Sequence, residues 1–497
     1  MKAVTRRSLL AGTGAVLGAG AMYGYSRRAQ PAGPVYPKPV DAGTDTVLND
    51  ASLLNPTRVA RHLTMPNDPN AELVAALRSE LAEARRDRRP VVVSAARHSM
   101  GAQSLAQDGT AITLDQDFLE PDTANATCRV AAGMRWSRVI EQLDKVGFSP
   151  KVMQSNNDFG VASTFSVNAH GWPVPWSAFG STVRAIRLMQ PDGELITCSP
   201  EENTEQFNMA MGGYGLTGII IDLDMEIVPN ARLKPKFEMM PATELGPRFV
   251  AALKNNKAIQ MAYGRLDVTL EDFFEEAMLI TYTPDGDQNG LPPVSGSGFL
   301  SRAARPIFRA QVNSDRIKSL RWFVETRIGT RLGDGAVTRN RLINEPVITL
   351  DDRDPARTDI LHEYFVSPDR FAEFVKACQE VIPASWQQLL NITLRYVDTD
   401  RQSVLAYATG PRIAAVMLFS QEMSVRGEAD MARMTSELIE RTLDIGGTYY
   451  LPYRLHATQD QFQRGYPRAG EFASRKRSLD PDLLFRNAMW DRYMAGL

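Results

Sequence analysis

The chain has 497 residues, 43% of them apolar, and a formal net charge of −2. That length supports two or three lobes with sizeable cores, and the charge gives no global pull toward nucleic acid or anionic lipid. Three widely spaced cysteines, Cys128, Cys198 and Cys378, build neither a disulfide framework nor a metal site and read as free buried thiols, with oxidation of one pair after export the alternative.

The first residues read as a targeting element. Thr5-Arg6-Arg7-Ser8-Leu9-Leu10 sets twin arginines before a glycine-rich, mildly apolar stretch that runs to Tyr25, the composition of a twin-arginine export signal. No A-x-A cleavage pattern follows Tyr25, and Arg27 and Arg28 flank the stretch. Residues 1–28 therefore read as a signal or an uncleaved inner-membrane anchor of a periplasmic protein. Residues 29–57, rich in Pro, Gly and Asp, read as a linker.

Helical spacing over 70–87, with Asn70 as its cap, leads into a strand at 90–94. Further strands are expected at 111–114, 128–132, 183–190, 194–198 and 218–228, with helices at 136–146 and 207–211. Alternation of this kind makes residues 58–230 one α+β lobe. A second lobe, 231–445, shows strands at 259–268, 277–283, 361–366, 389–397, 403–408 and 413–419. Its helical spacing lies at 303–328, 368–379 and 428–443, and a Pro/Gly/Ser loop occupies 284–298. The tail, 446–497, is polar and aromatic with little periodicity and reads as folding back onto a lobe.

Three segments carry chemistry. In VVVSAARHSMGAQS, positions 91–104, a β-branched strand stops at small residues and a histidine opens a loop. Such a turn can aim several backbone N–H groups into one concavity, which suits a diphosphate. In FGVASTFSVNAHG, positions 159–171, small and hydroxylated residues alternate with apolar ones, a pattern that lets backbone and hydroxyls approach a flat ligand closely. In GGYGLTG, positions 212–218, four glycines precede an apolar strand. Each of these loops alone is more often a turn than a binding site.

In order and spacing, SAARHSMGAQS, AAGMRWSRVIEQL, FGVASTFSVNAHG, the stretch Phe179 to Val183, GGYGLTGII and the closing LDPDLLFRN resemble flavoproteins of the vanillyl-alcohol-oxidase type, whose FAD domain is called PCMH-type. The resemblance covers roughly 58–230 and the last fifty residues. It implies an α+β fold: a PCMH-type FAD-binding domain of two α+β subdomains, an α+β substrate cap with an antiparallel sheet at 231–445, and a segment, 446–497, returning to the FAD domain and active site.

The resemblance also implies roles. Arg97, His98, Ser99, Met100, Gly101, Ala102 and Gln103 correspond to the loop around the FAD diphosphate. His98 aligns with the histidine bonded to the flavin 8α carbon in many members, a bond open to a neutral imidazole; otherwise it holds a phosphate or ribityl oxygen. Gly160, Ser163, Thr164, Asn168, His170 and Gly171 correspond to the ribityl and isoalloxazine edge, with His170 alternatively a satisfied structural histidine. Gly213, Gly215, Gly218 and Ile219 would cover adenine and ribose. Two departures stand out: Arg97 sits where the family has glycine, and Ala162-Ser163 replaces Gly-Gly. Arg97 would add charge suited to a pyrophosphate.

In the cap, LHEYFV (361–366) and NITLRY (391–396) resemble strands of sugar and alcohol oxidases. Alternation places Asn391, Thr393 and Arg395 on one sheet face. Arg395, Glu363, Tyr453 and His456 are the acid, base and charge candidates, with a solvent-facing salt bridge the alternative for Arg395. The resemblance implies oxidation of a CH–OH group of a sugar, polyol or related alcohol, with O2 or a quinone or protein as acceptor. Two other readings stand: a membrane-associated dehydrogenase of a lipid-linked sugar with non-covalent flavin, and an inactive flavin-fold binding protein. Residues 302–341 hold ten basic and three acidic residues, read as a membrane-surface contact or a solvated helix face.

Overall fold

The computed structural model describes residues 47–65, 70–294, 308–330, 335–345 and 354–497. The expected export signal, most of the linker, and Arg302, Arg305, Ile307 and Arg331 of the basic element lie outside the described residues. No helix among the described residues is long and apolar enough to cross a membrane.

The first lobe contains two sheets. Strands Arg61–Thr64, Thr110–Thr113 and Val91–Ser94 form a parallel sheet with the Thr110 strand central. Helix Ala71–Arg86 packs with it because Leu73, Val74, Leu77, Leu81 and Ala84 recur at helical spacing and are all buried. The second sheet is antiparallel and centred on Ile219–Pro229, which pairs with Thr127–Ala131, Val183–Met189 and Phe148–Pro150. Buried Asp222 on that central strand takes Arg129 and Arg187 from its two neighbours, so its carboxylate is paired.

The second lobe is an eight-stranded sheet in the order Val337–Thr338, Arg232–Pro241, Glu276–Pro284, Met261–Leu266, Gln388–Val397, Arg412–Glu422, Arg357–Val366 and Thr448–Tyr449, every pair antiparallel. Helices Leu245–Asn255, Phe371–Val381 and Val425–Asp444 bury Phe249, Phe371, Phe374, Met431 and Leu438 in one core with Ile392, Leu394 and Tyr364. Residues of the opposite parity, Glu363, Phe365, Asn391, Thr393 and Arg395, share the other sheet face. The α+β class and the antiparallel cap thus follow the sequence expectation.

Three expectations are corrected. Residues 403–408 are a loop, not a strand, because Asp400 accepts the backbone N–H groups of Gln402 and Ser403 and folds the chain into a turn. Residues 161–166 are helical rather than an open loop. The tail is also more regular than its periodicity suggested, with helices Gln459–Gly465 and Ala469–Leu479. The first of these starts with a capping box, Thr458 with Gln461.

Candidate active site

The three small-residue segments meet around the short helix Val161–Ser166. A Cβ on Gly160 would stand 2.5 Å from the Cβ of Ala95, so this glycine permits the first two segments to touch. The imidazole of His98 lies 4.5 Å from the Phe159 ring. From the third segment, Gly212 N–H donates to the Phe165 carbonyl at 3.0 Å and Tyr214 N–H to the Ser166 carbonyl at 2.8 Å. Thr164 is fixed from beneath, accepting from Trp136 Nε1 at 2.8 Å and donating to Gln154 at 2.9 Å.

The loop after the Val91 strand is built against residues 47–55 and the tail. Met100 N–H donates to the Pro452 carbonyl, Gly101 N–H to Gln103 Oε1, and Ala102 N–H to Asp50. Gln103 Nε2 bonds the carbonyls of Leu451 and Tyr453, and Arg454 donates to the Met100 carbonyl. These amides and side chains are therefore spent within the protein, as is the Ser99 hydroxyl, 2.9 Å from Ser104 Oγ, which leaves the side chains of Arg97 and His98 as the part of the loop able to face a ligand. Arg97, in the left-handed region at φ +51°, donates to Thr113 Oγ1 at 3.2 Å. Burial first, and then the like charge of Arg135, lower its proton affinity. Two half-buried guanidiniums that repel one another suit a ligand with two negative charges. Burial also lowers the His98 imidazole, which keeps it neutral near pH 7.

A second cluster lies where the lobes meet. His170 Nε2 stands 2.5 Å from Glu363 Oε1, and Tyr453 Oη donates to Glu363 Oε2 at 3.2 Å. Arg395 donates to the His170 carbonyl at 3.1 Å and to Ser155 Oγ at 2.7 Å. Burial, followed by the charge of Glu363, pushes the Tyr453 hydroxyl well above its usual value, so it acts as a donor. With Nε2–H donating to the carboxylate, His170 Nδ1 carries the lone pair, and this buried atom has no hydrogen-bond partner. Arg395 Nε is likewise buried and unpartnered.

The backbone beside His170 is gripped by the second lobe and the tail. Tyr450 Oη donates to the Val167 carbonyl at 2.7 Å and Tyr407 Oη to the Asn168 carbonyl at 2.6 Å. Asn168, itself left-handed at φ +46°, donates to Asp400 and accepts from Gly180 N–H. Sequence reasoning missed Tyr407 and Asp400, which carry no motif and act only across the fold.

The structure therefore brings Glu363, Tyr453, Arg395 and His170 together but leaves His456 out. His456 Nδ1 meets Thr435 Oγ1 at 2.7 Å and Nε2 meets Glu428 at 3.0 Å. Both ring nitrogens are committed, and its ring neighbour is His362, the residue whose side chain leaves the strand opposite to Glu363. The expectation of His456 as acid or base is corrected to a structural one. Gln103, Thr164 and Asn168 likewise hold the scaffold, since their polar atoms are engaged within the protein. Gly101, Gly171, Gly213 and Gly218 are packed against the protein's own backbone rather than opened toward a ligand.

Residues 70–199 match the family model of an FAD binding domain. The chain is 32% identical over 100 residues to D-arabinono-1,4-lactone oxidase of Yarrowia lipolytica, covering 20% of this chain and 19% of that one. It is 26% identical over 162 residues to L-gulonolactone oxidase of Mus musculus, covering 32% and 37%. It is 27% identical over 143 residues to cytokinin dehydrogenase 9 of Oryza sativa, covering 27% of each chain. The chain thus matches little more than a third of these relatives' length at most. The donor set fits FAD on two structural grounds. Arg97 and Arg135 supply charge for a diphosphate beside neutral His98, and the unpartnered Nε of Arg395 leaves a polar contact to be made at the seam between lobes.

Proposed function

We propose that this chain, whose residues 70–199 match the family model of an FAD binding domain, is an FAD-dependent oxidoreductase of the PCMH type. Its substrate on this reading is a CH–OH group of a sugar, sugar lactone, polyol or related alcohol. Bound FAD would supply the hydride acceptor, and O2, a quinone or a protein would take the electrons onward.

The observation that carries this reading is the His170–Glu363 pair at the lobe seam. Glu363 holds the imidazole in one tautomer, and Nδ1 of His170 takes the proton from the substrate hydroxyl. Tyr453 keeps the Glu363 carboxylate oriented by donating to its second oxygen. Arg395, bonded to the His170 carbonyl, places positive charge beside the alkoxide that forms as the proton leaves. Glu363 is in this scheme a positioning residue and His170 the base. Arg97 and His98 would hold the diphosphate end.

Neutral, half-buried His98 is suited to a covalent bond to the flavin. Acid precipitation tests that point: colour kept in the pellet supports the bond, and colour released to the supernatant refutes it. We also place the protein outside the cytoplasm, exported folded through the twin-arginine route by the segment at Thr5–Leu10. Replacing Arg6 and Arg7 by lysine is expected to leave the protein in the cytoplasmic fraction.

The enzyme reading is tested by anaerobic mixing with sugars, aldonolactones and polyols. Bleaching of the bound flavin by one of them supports it. A flavin left oxidised by the whole panel would count for a binding role instead.

A further inference from the structure

Residues 302–341 are rich in arginine and lysine, yet the described part of this stretch does not present a basic surface. Arg309 is buried against Asp359, and Arg339 is buried against Ser149 and the carbonyls of Pro150 and Lys151. Lys318 is buried too. Arg321 turns inward to Gln311, the Leu390 carbonyl and Asn391. The inner side of the helical run from Asp315 to Gly329 is therefore largely polar: beside buried Ile317 it carries Lys318, Arg321, Glu325 and Thr326, with Glu325 bonded to Arg265.

Its outer side carries large apolar groups beside the exposed Arg316, Ser319 and Arg327. Leu320 is 53% exposed, Phe323 55%, Val324 42% and Ile328 41%, at positions that share one helical face. Leu270, 58% exposed, adjoins them, since its N–H donates to Asp315. Ordinary surface helices place such residues inward, and a contiguous exposed patch of this kind marks an interaction site. Its rim bears both signs of charge. Arg316 is exposed at one end of the stripe. Along a flank runs a cleft of about 350 Å³ lined by Asp272, Glu275, Glu276, Trp322, Phe323 and Arg327, among others.

We propose that this stripe is the contact between two copies of the chain, related by a two-fold axis. An apolar centre with a rim of mixed charge is the anatomy of a protein interface. In an isologous contact the same patch must be complementary to itself. Arg316 of each copy then meets the carboxylates of the other's cleft, while Leu320, Phe323, Val324 and Ile328 leave water together. A bilayer is disfavoured, because seating Phe323 among lipid headgroups would carry the exposed carboxylates of Asp272, Glu275 and Glu276 to the phosphates. The contact does not depend on the enzymatic reading.

Light scattering on the full flavin-bound chain over a range of concentrations tests this. The wild type is expected to be a dimer, and Leu320→Ser/Phe323→Ser a monomer with unchanged flavin content and far-ultraviolet circular dichroism. Arg316→Glu and Asp272→Lys/Glu275→Lys are each expected to be monomeric alone and to pair when mixed. A wild type that stays monomeric at every concentration overturns the proposal. So does a dimer untouched by the serine changes, a mixture of the charge variants that fails to pair, or a monomer that floats with phosphatidylglycerol vesicles.

Discussion

A base needs a lone pair and a fixed ring, and His170 has both. Removing its hydroxyl-proton acceptor by His170→Asn is expected to lower kcat by about 10²–10⁴-fold. Glu363→Gln keeps the shape but loses the charge that fixes the tautomer, and a fall of similar size is expected in kcat rather than in KM. Flavin content should be unchanged in both, which stopped-flow reduction and absorbance spectra together would check. The His-Gly pair ending one small-residue segment was visible in the sequence, as was Glu363 in its strand. Their pairing was not, because residues 193 positions apart come together only through the fold. His456 misled for the opposite reason. A histidine beside a tyrosine-rich tail looks reactive, but Glu428 and Thr435 absorb both its nitrogens.

Among the elements, the short helix Val161–Ser166 and the segment that follows it hold the site together. Gly171 sits where a Cβ would lie 1.9 Å from the Met153 carbonyl oxygen, a backbone atom unable to yield. Gly171→Ala is therefore expected to destabilise the fold by about 2–4 kcal/mol and to lose flavin on dialysis, read by thermal melting and bound absorbance. Tyr407→Phe leaves the Asn168 carbonyl without its buried donor. A cost of about 1–3 kcal/mol is expected in denaturant unfolding. Periodicity located the long strands and helices well, because their faces are one-sidedly apolar. It failed at 161–166, where small residues hide a helix of under two turns, and at 403–408. There the alternation in SVLAYA reflects burial of a loop, with Val404, Leu405 and Tyr407 all inside.

For the molecule as a whole, the far side of the Arg357–Val366 strand sets the response to acid. Burial, then the charges of His456 and Arg454, hold His362 well below the usual histidine value of 6.5, and burial lowers His456 as well. The unfolded chain then binds more protons than the folded one, so stability falls as pH drops through about 6.5. Burial opposes ionisation of Glu428, but the bonds and charges of His456 and Arg454 outweigh it and hold that carboxyl at about 2. A further loss is therefore expected as pH falls from the usual glutamate range of about 4.5 toward 2. His362→Leu should flatten the first of these two slopes in melting curves taken between pH 7 and 5. The α+β class and the cofactor were legible in the sequence through the resemblance of its loop segments, in order and spacing, to FAD-binding flavoproteins. The grip of the second lobe and the tail on those loops was not, since Tyr407, Tyr450 and Gln103 reveal their partners only in three dimensions.

The most direct measurement is anaerobic reduction of the bound flavin by aldonolactones, sugars and polyols, run on the wild type and on Glu363→Gln side by side. The account expects the wild-type colour to bleach with at least one of them and the variant, equally yellow at the start, to bleach about a hundredfold or more slowly. Protein purified without flavin and unable to take it up, or a variant that bleaches at the wild-type rate, would contradict it.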